Sequence, residues 1–339
     1  MQILQKQKDK DFLVLNFSDI HLRNKYWNEN YPQKLIGLHI MKTLIEEVKP
    51  DLITVTGDLA SYAQWDAYNG LADFFDSFNI PWSVVWGNHD NEAGQEPVAE
   101  VEKLFHARKN FVYEAGDPAL GQGNFIIGIE EEGRPVEALR MMDSHARVPF
   151  TLEDGTVKNA YAKLFPQQIE WYKEQISELK AKGYKESSLL LHIPIFAYTE
   201  AFYSAILKGL DPQEIRFEES GNPVFWNKGY EGCHGLMHGK IRTHLADEGM
   251  FDAILEGGHT KTILCGHDHK NNFVVKHKGV QFAYTTKTGS GKYSTKNLVG
   301  GTVIRISSEG VEEIIQKPVK IAHLEAIFGH PEKALKENG

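Results

Sequence analysis

The chain has 339 residues, 41% hydrophobic and 24% charged, with 37 basic against 46 acidic residues and a formal charge of −9. This composition provides ample material for a core and excludes disorder over most of the length, while the acidic balance argues against a broad nucleic-acid surface, which rests on Lys and Arg. Met1 to Lys10 lacks the apolar core of a signal peptide, no run approaches the roughly 20 apolar residues that cross a bilayer, and Cys233 and Cys265 are too few for a secreted disulfide scaffold, so a cytoplasmic protein is expected.

Short β-branched or aromatic runs alternate with longer amphipathic stretches, the pattern of strands covered by helices. Phe12 to Phe17 opens the series as a strand. Leu35 to Val48 follows at helical spacing and stops before Pro50, ahead of a strand over Leu52 to Thr56. The unit repeats as a helix over Trp65 to Phe78, punctuation at Pro81 and a strand over Trp82 to Trp86. Right-handed crossovers place these strands in one parallel sheet. Each ends in a polar motif: Asp19-Ile20-His21, Gly57-Asp58 and Gly87-Asn88-His89-Asp90. That placement matters because ligand sites of α/β sheets form beyond the carboxyl ends of strands.

The middle of the chain changes character. Phe125 to Glu130 and Glu137 to Asp143 read as neighbouring strands around the turn-like Glu132-Gly133-Arg134-Pro135, the start of a second sheet. A helix over Phe165 to Leu179 and an apolar strand over Ser188 to Leu191 lead to His192. The segment 196–250, rich in Gly, aromatic residues and His, is read as a lid over the site, since long loops in compact domains are often functional. Thr260 to Cys265 ends in Gly266-His267-Asp268-His269. Phe273 to Lys276, Val280 to Tyr284, Gly301 to Ile306 and Val311 to Ile315 read as antiparallel strands before a tail over 317–339. The predicted organisation is one domain over 1–339 with the lid inserted in it.

In an extended segment alternate side chains share a face, so Asp19 and His21 can reach one metal ion while Ile20 turns into the core. His267 and His269 can do the same. Gly57 and Gly87 allow close backbone approach just ahead of Asp58 and Asn88. Carboxylate and imidazole donors suit hard or borderline divalent cations, and a shared carboxylate can hold two of them about 3.5–4 Å apart.

These residues, in this order, resemble the calcineurin-like metallophosphoesterase superfamily. Its pattern Asp-x-His, Gly-Asp, Gly-Asn-His-Asp/Glu, His and Gly-His-x-His is met by Asp19-Ile20-His21, Gly57-Asp58, Gly87-Asn88-His89-Asp90, His192 and Gly266-His267-Asp268-His269. The resemblance runs from about residue 11 to 270 and implies an α/β fold, a four-layer αββα sandwich of two mixed β-sheets flanked by helices. It further implies that Asp19, His21, Asp58 and His269 bind one metal and that Asp58, Asn88, His192 and His267 bind a second, with Asp58 bridging. The two ions would be divalent or mixed-valence, drawn from Mn, Fe or Zn. His89 is then left free as general acid, with Asp90 orienting its imidazole. A hydroxide bridging the metals is the implied nucleophile.

Asp143-Ser144, Gln168 to Tyr172 and Gly266 to Phe273 resemble, more narrowly, a purple-acid-phosphatase-like branch. Purple acid phosphatases carry a tyrosine three residues after the bridging aspartate, where this chain has Ser61, followed by Tyr62. A tyrosinate-to-iron bond is therefore not expected, and His21 supplies the missing ligand. Protein serine/threonine phosphatases of the family carry arginine before Gly-Asn-His, where this chain has Trp86. The implied activity is hydrolysis of a small phosphodiester or phosphomonoester, the diester preferred because His21 and His89 are both present. The expected partner is that small ester, with no membrane and no nucleic acid. Two alternatives stand beside it: a metal-dependent nuclease, opposed by the acidic balance, and a noncatalytic scaffold, opposed by the intact ligand set.

The remaining features are read more plainly. Cys233, His234, His238 and His244 lack the second Cys of a usual zinc site. The Thr285 to Lys292 loop, with Gly289, Gly291, Lys287 and Lys292, either approaches phosphate or is a simple hairpin turn. Cys265 packs at a strand end rather than acting as a nucleophile. His39, His106, His145, His259 and His277 have no partner pattern, though His145 follows a strand end and is the one placed near the site.

Overall fold

The computed structural model describes residues 1–23, 31–61, 65–92, 97–206, 233–237, 239–290 and 299–329. In chain order the elements are β1 (Gln2–Lys6), β2 (Phe12–Phe17), α1 (Pro32–Val48), β3 (Leu52–Thr56), α2 (Trp65–Asp76), β4 (Trp82–Val85) and α3 (Val98–His106). Then come β5 (Phe125–Glu131), β6 (Arg134–Met141), β7 (Arg147–Thr151), β8 (Val157–Tyr161), α4 (Pro166–Lys182), β9 (Glu186–Leu190) and α5 (Tyr198–Ile206). The chain closes with α6 (Met250–Gly257), β10 (Thr260–Cys265), β11 (Val274–His277), β12 (Val280–Tyr284), β13 (Val299–Ser307), β14 (Gly310–Val319) and α7 (Ile321–Phe328).

The five-stranded sheet has the order β14-β13-β2-β3-β4. Its β2, β3 and β4 are parallel, as the strand–helix–strand pattern requires, and β13 adds antiparallel to β2. Helix α1 begins at Pro32, where the missing N–H costs nothing, and ends at left-handed Lys49, whose N–H caps Ile45 O. Its apolar residues Ile36, Ile40, Met41, Leu44 and Ile45 form the buried stripe. Helix α3 contributes Val101 and Phe105, and Phe105 stacks on Trp86, whose indole N–H donates to Tyr113 Oη at 2.8 Å.

The seven-stranded sheet has the order β1-β5-β6-β9-β10-β12-β11. Period-two alternation divides its side chains between two cores. Leu190, Leu264, Val274 and Ala283 join the core shared with the other sheet, whereas Leu189, Leu191, Ile263, Cys265, Phe282 and Tyr284 pack under α4, α5 and α6. The result is helices, sheet, sheet, helices, the expected four layers.

Several elements differ from the sequence reading. Gln2–Lys6 is an edge strand paired in parallel with β5, and its polar sequence reflects a largely exposed face. Of the late strands, β11–β12 and β13–β14 are antiparallel hairpins, but they lie in different sheets, and β12 is parallel to β10. Residues 317–328 are not a tail: β14 continues to Val319, and α7 lies against α1 with Leu324 buried and the Phe328 ring 5.4 Å from His39. Residues 330–339 lie outside the described residues. Helix α5, counted in the lid, instead packs under the seven-stranded sheet, where Tyr198 Oη donates to Ile263 O and Ala283 O at 3.0 Å each. Among the described residues no helix is long and apolar enough to cross a membrane.

Candidate metal centre

Every sequence-predicted ligand follows the carboxyl end of a strand: Asp19 and His21 after β2, Asp58 after β3, Asn88 after β4, His192 after β9, and His267 and His269 after β10. The first three of these strands belong to one sheet and the last two to the other. The turns that carry the ligands are not extended, contrary to the alternation argument. Asp19 (φ 52°), His21 (φ 51°), Asp58 (φ 52°) and His267 (φ 77°) all occupy the left-handed region, at a cost of roughly 1–2 kcal/mol each for an ordinary L-residue. Asp and His tolerate it better than most. Ile20 is nevertheless 1% exposed, in the core as expected. A Cβ on Gly87 would fall 2.2 Å from Asp58 N, and one on Gly57 would fall 2.4 Å from His192 Nδ1, so both glycines are required by the close approach.

The side chains form two groups that share Asp58. In the first, His21 Nε2 lies 2.9 Å from His269 Nε2 and 3.6 Å from Asp58 Oδ2, while His269 Nε2 lies 3.2 Å from Asp19 Oδ1. Ligand atoms of these four residues all fall within 4.8 Å of one another. In the second, His192 Nε2 is 3.3 Å from Asp58 Oδ2, 3.2 Å from Asn88 Oδ1 and 3.3 Å from His267 Nδ1. Most of these separations are those of donors around a common ion with bonds of about 2.0–2.2 Å, which stand roughly 3–3.6 Å apart.

One oxygen of each carboxylate is pinned by the backbone and the other faces the cluster. Asp19 Oδ2 accepts from His267 N (3.0 Å) and Ser18 Oγ (2.6 Å), which leaves Oδ1 buried without a hydrogen-bond partner. Asp58 Oδ1 accepts from His89 N at 2.8 Å. His192 Nδ1 donates to Thr56 O at 2.8 Å, which aims Nε2 inward, and Ser61 Oγ bonds His21 Nδ1. The serine at the purple-acid-phosphatase tyrosine position thus holds a ligand's ring. Tyr62 lies outside the described residues.

Burial, assisted by the Lys287 ammonium, pushes His21 down to about 3 and also lowers His269. Burial and the neighbouring His192 lower His267 strongly. These imidazoles are held neutral, as metal ligands must be. Burial alone would raise Asp19 and Asp58, but His269 and His21 hold Asp19, and His192 holds Asp58, well below the usual carboxylate range. Burial opposes a charge on His192, yet Asp58 raises it to about 10, so a proton neutralises this pair where a cation otherwise would. The three imidazoles of His21, His267 and His269 held neutral, the ionised carboxylates and the buried Asp19 Oδ1 fit a bound metal.

The general-acid pair departs from the expectation. Asp90 does not orient His89: its oxygens accept from the N–H groups of Gly87 (3.0 Å), Leu59 (3.3 Å) and Ala60 (3.3 Å) and from Tyr68 Oη (3.1 Å). Asp90 ties the two motif loops together, and burial plus the Asp58 charge push it up to about 7. Glu92 instead meets the ring, Oε2 lying 3.0 Å from His89 Nδ1. The legible signal was an acid three residues beyond His89.

A cavity of about 310 Å³ opens over the centre, lined by Asp58, Asn88, His89 and His267 and also by Tyr161, Arg242 and Lys270. The sequence reading gave none of these last three a role of its own, although Arg242 falls in the 196–250 segment read as a lid and Lys270 in the Gly266 to Phe273 stretch. Tyr161 arrives from the β7–β8 hairpin and meets His267 edge-to-face, ring centroids 4.3 Å apart. Lys287, a weak phosphate candidate, is 3% exposed and donates to Asp19 O at 2.9 Å. Burial lowers it to about 8 against the pull of Asp19 and Asp58. Gly291, Lys292 and His238 lie outside the described residues, as does the 207–232 part of the 196–250 segment. His145 is drawn away to Gln168 Oε1 (2.8 Å) and stacks on Phe165.

Two mixed sheets between helix layers, with carboxylate and imidazole side chains gathered at their strand ends, define a four-layer α/β architecture. A crystal structure of a dimetal phosphatase from Danio rerio shares the fold with a TM-score of 0.50 at 11% identity, covering 90% of this chain and 98% of that one. The calcineurin-like phosphoesterase family model matches residues 12–271, and the chain belongs to that family. Similar curated proteins include probable inactive purple acid phosphatase 28 of Arabidopsis thaliana, 22% identical over 87% of this chain and 74% of that protein. Phosphatase DCR2 of Saccharomyces cerevisiae is 24% identical over 90% of this chain and 52% of its own length.

Proposed function

We propose that the protein is a dinuclear metal-dependent phosphoesterase acting on a small phosphodiester or phosphomonoester. The observation that carries this reading is the double cluster sharing Asp58, with His89 outside the ligand set on the rim of the same cavity. Asp19, His21, Asp58 and His269 would hold one cation, and Asp58, Asn88, His192 and His267 the other. When bound, such a pair supplies Lewis acidity that activates water and neutralises the phosphoryl oxygens.

The chain's own residues do the rest. The backbone N–H groups of His89 and His267 fix the carboxylates, so little reorganisation accompanies reaction. Glu92 accepts from Nδ1 of His89 and orients the ring, and Nε2 holds the proton for the leaving alkoxide. Metal identity follows availability among Mn, Fe and Zn.

A noncatalytic scaffold is the second reading, favoured by the word "inactive" in the name of the Arabidopsis relative. The intact donor set and the placement of His89 favour the enzyme. The test is hydrolysis of bis(p-nitrophenyl) phosphate and p-nitrophenyl phosphate, side by side, by metal-depleted protein before and after Mn²⁺ is restored. Metal-dependent turnover, faster on the diester, is expected. A faster monoester reaction would make it a phosphatase, and turnover of neither would favour the scaffold.

A further inference from the structure

The lining of the cavity includes a buried carboxylate that the metal reading leaves unused. Asp268 lies between His267 and His269 and is 3% exposed. Tyr284 Oη donates to its Oδ2 at 2.6 Å. The same carboxylate receives Arg242 twice: backbone N to Oδ2 at 2.8 Å and Nη1 to Oδ1 at 2.9 Å. A buried anion thus fixes both the backbone and the head group of one arginine.

That arginine is not consumed by its tether. Its side chain is 54% exposed and lines the cavity together with Lys270. The structure gives its guanidinium one hydrogen bond, from Nη1, and a guanidinium has five N–H donors in a rigid fork. A latch between loop and sheet would be complete with the backbone N–H alone. Next to it stands Tyr161, whose ring is held by the Arg147 guanidinium at 4.0 Å on the β7–β8 hairpin. Arg242 and Lys270 therefore place cationic groups on the wall of the same cavity, outside the ligand set.

We infer that Arg242, held by Asp268, is a specificity-determining residue that clamps a second anionic group, carboxylate or phosphate, on the substrate remote from the scissile phosphate. The inference rests on the phosphoesterase reading and narrows its substrate class to esters charged at both ends. Preorganisation matters here: a guanidinium already fixed loses little side-chain entropy on binding, and charge-assisted bidentate pairing adds geometric selectivity.

The test is calorimetric titration of the Mn²⁺-loaded full chain with alkylphosphonates of two to five carbons and with their ω-carboxy counterparts. At least one carboxylated member is expected to bind about tenfold tighter than its parent. Arg242→Gln should abolish that advantage while leaving the parents unchanged, and Arg242→Lys, which keeps the charge, should retain part of it. Thermal unfolding of both variants checks that they fold. If the parents bind but no carboxylated member gains, or the gain survives Arg242→Gln, the clamp is overturned and the phosphoesterase reading stands. If Arg242→Gln weakens parents and carboxylated members alike, the arginine serves the phosphoryl group itself and the remote clamp is again overturned. If no phosphonate binds, the phosphoesterase reading fails and takes the clamp with it.

Discussion

At the residue scale, Asp58 has the most demanding position. It sits in a left-handed turn, is pinned through Oδ1 by His89 N, and presents Oδ2 to both His21 and His192. Replacing it by Asn keeps the shape but removes the charge both groups share. Asp58→Asn is expected to lower the content of both metals, read by elemental analysis, and to abolish turnover; full metal content would remove the shared role. The His89 ring meets His21 edge-to-face, centroids 5.1 Å apart, but is not one of the clustered donors, so His89→Ala should keep the metals while turnover falls by about 10²–10⁴-fold, the range of a lost general acid. Unchanged turnover in a metal-replete His89→Ala protein would end that assignment. His89 and its motif were legible in the sequence. Glu92 was not distinguished from Asp90, because which acid reaches the ring depends on how the turn after β4 folds back on β3.

At the element scale, β6 carries a buried charge problem far from the metals. Glu137 is 1% exposed, and burial pushes its carboxyl up to about 8, although Ser188 Oγ donates to it at 3.0 Å. Between the ordinary value of 4.5 and about 8 the folded chain keeps a proton that the unfolded chain has lost. Raising the pH through that window therefore costs stability, at most about 1.4 kcal/mol per pH unit. Glu137→Gln keeps the acceptor and removes the titration. Denaturant midpoints at pH 5 and pH 8 should show the variant gaining on the wild type at the higher pH, and parallel behaviour at both would refute this reading. The periodicity of β6 identified it as a strand. It did not disclose a buried glutamate, because alternation predicts facing and not what covers the face.

At the scale of the whole molecule, the candidate ligands come from both sheets, so bound cations would cross-link the two layers. Without them Asp19 and Asp58 depend on imidazoles for neutralisation. Metal that binds only the folded form stabilises it by about 2.7 kcal/mol at one hundred times its dissociation constant. Chelation should therefore lower the melting temperature and Mn²⁺ should restore it, whereas Asp58→Asn should show a much smaller shift. A wild-type melting temperature indifferent to chelator and Mn²⁺ would argue against a metal centre.

Local signals were enough for the strands and helices from β2 to β4, for the strand-end positions of Asp19, Asp58, Asn88, His192, His267 and His269, and for the family these motifs mark. They suffice because turn residues and hydrophobic period are properties of neighbouring positions. Tertiary structure alone decided that Asp90 clamps backbone instead of His89, that Gln2–Lys6 completes a sheet edge, and that Tyr161 and Arg242 wall the cavity. Each of those outcomes depends on partners brought together by folding, such as Arg242 with Asp268 or Tyr161 with His267, and no local pattern records which distant residue will supply the other half of a contact.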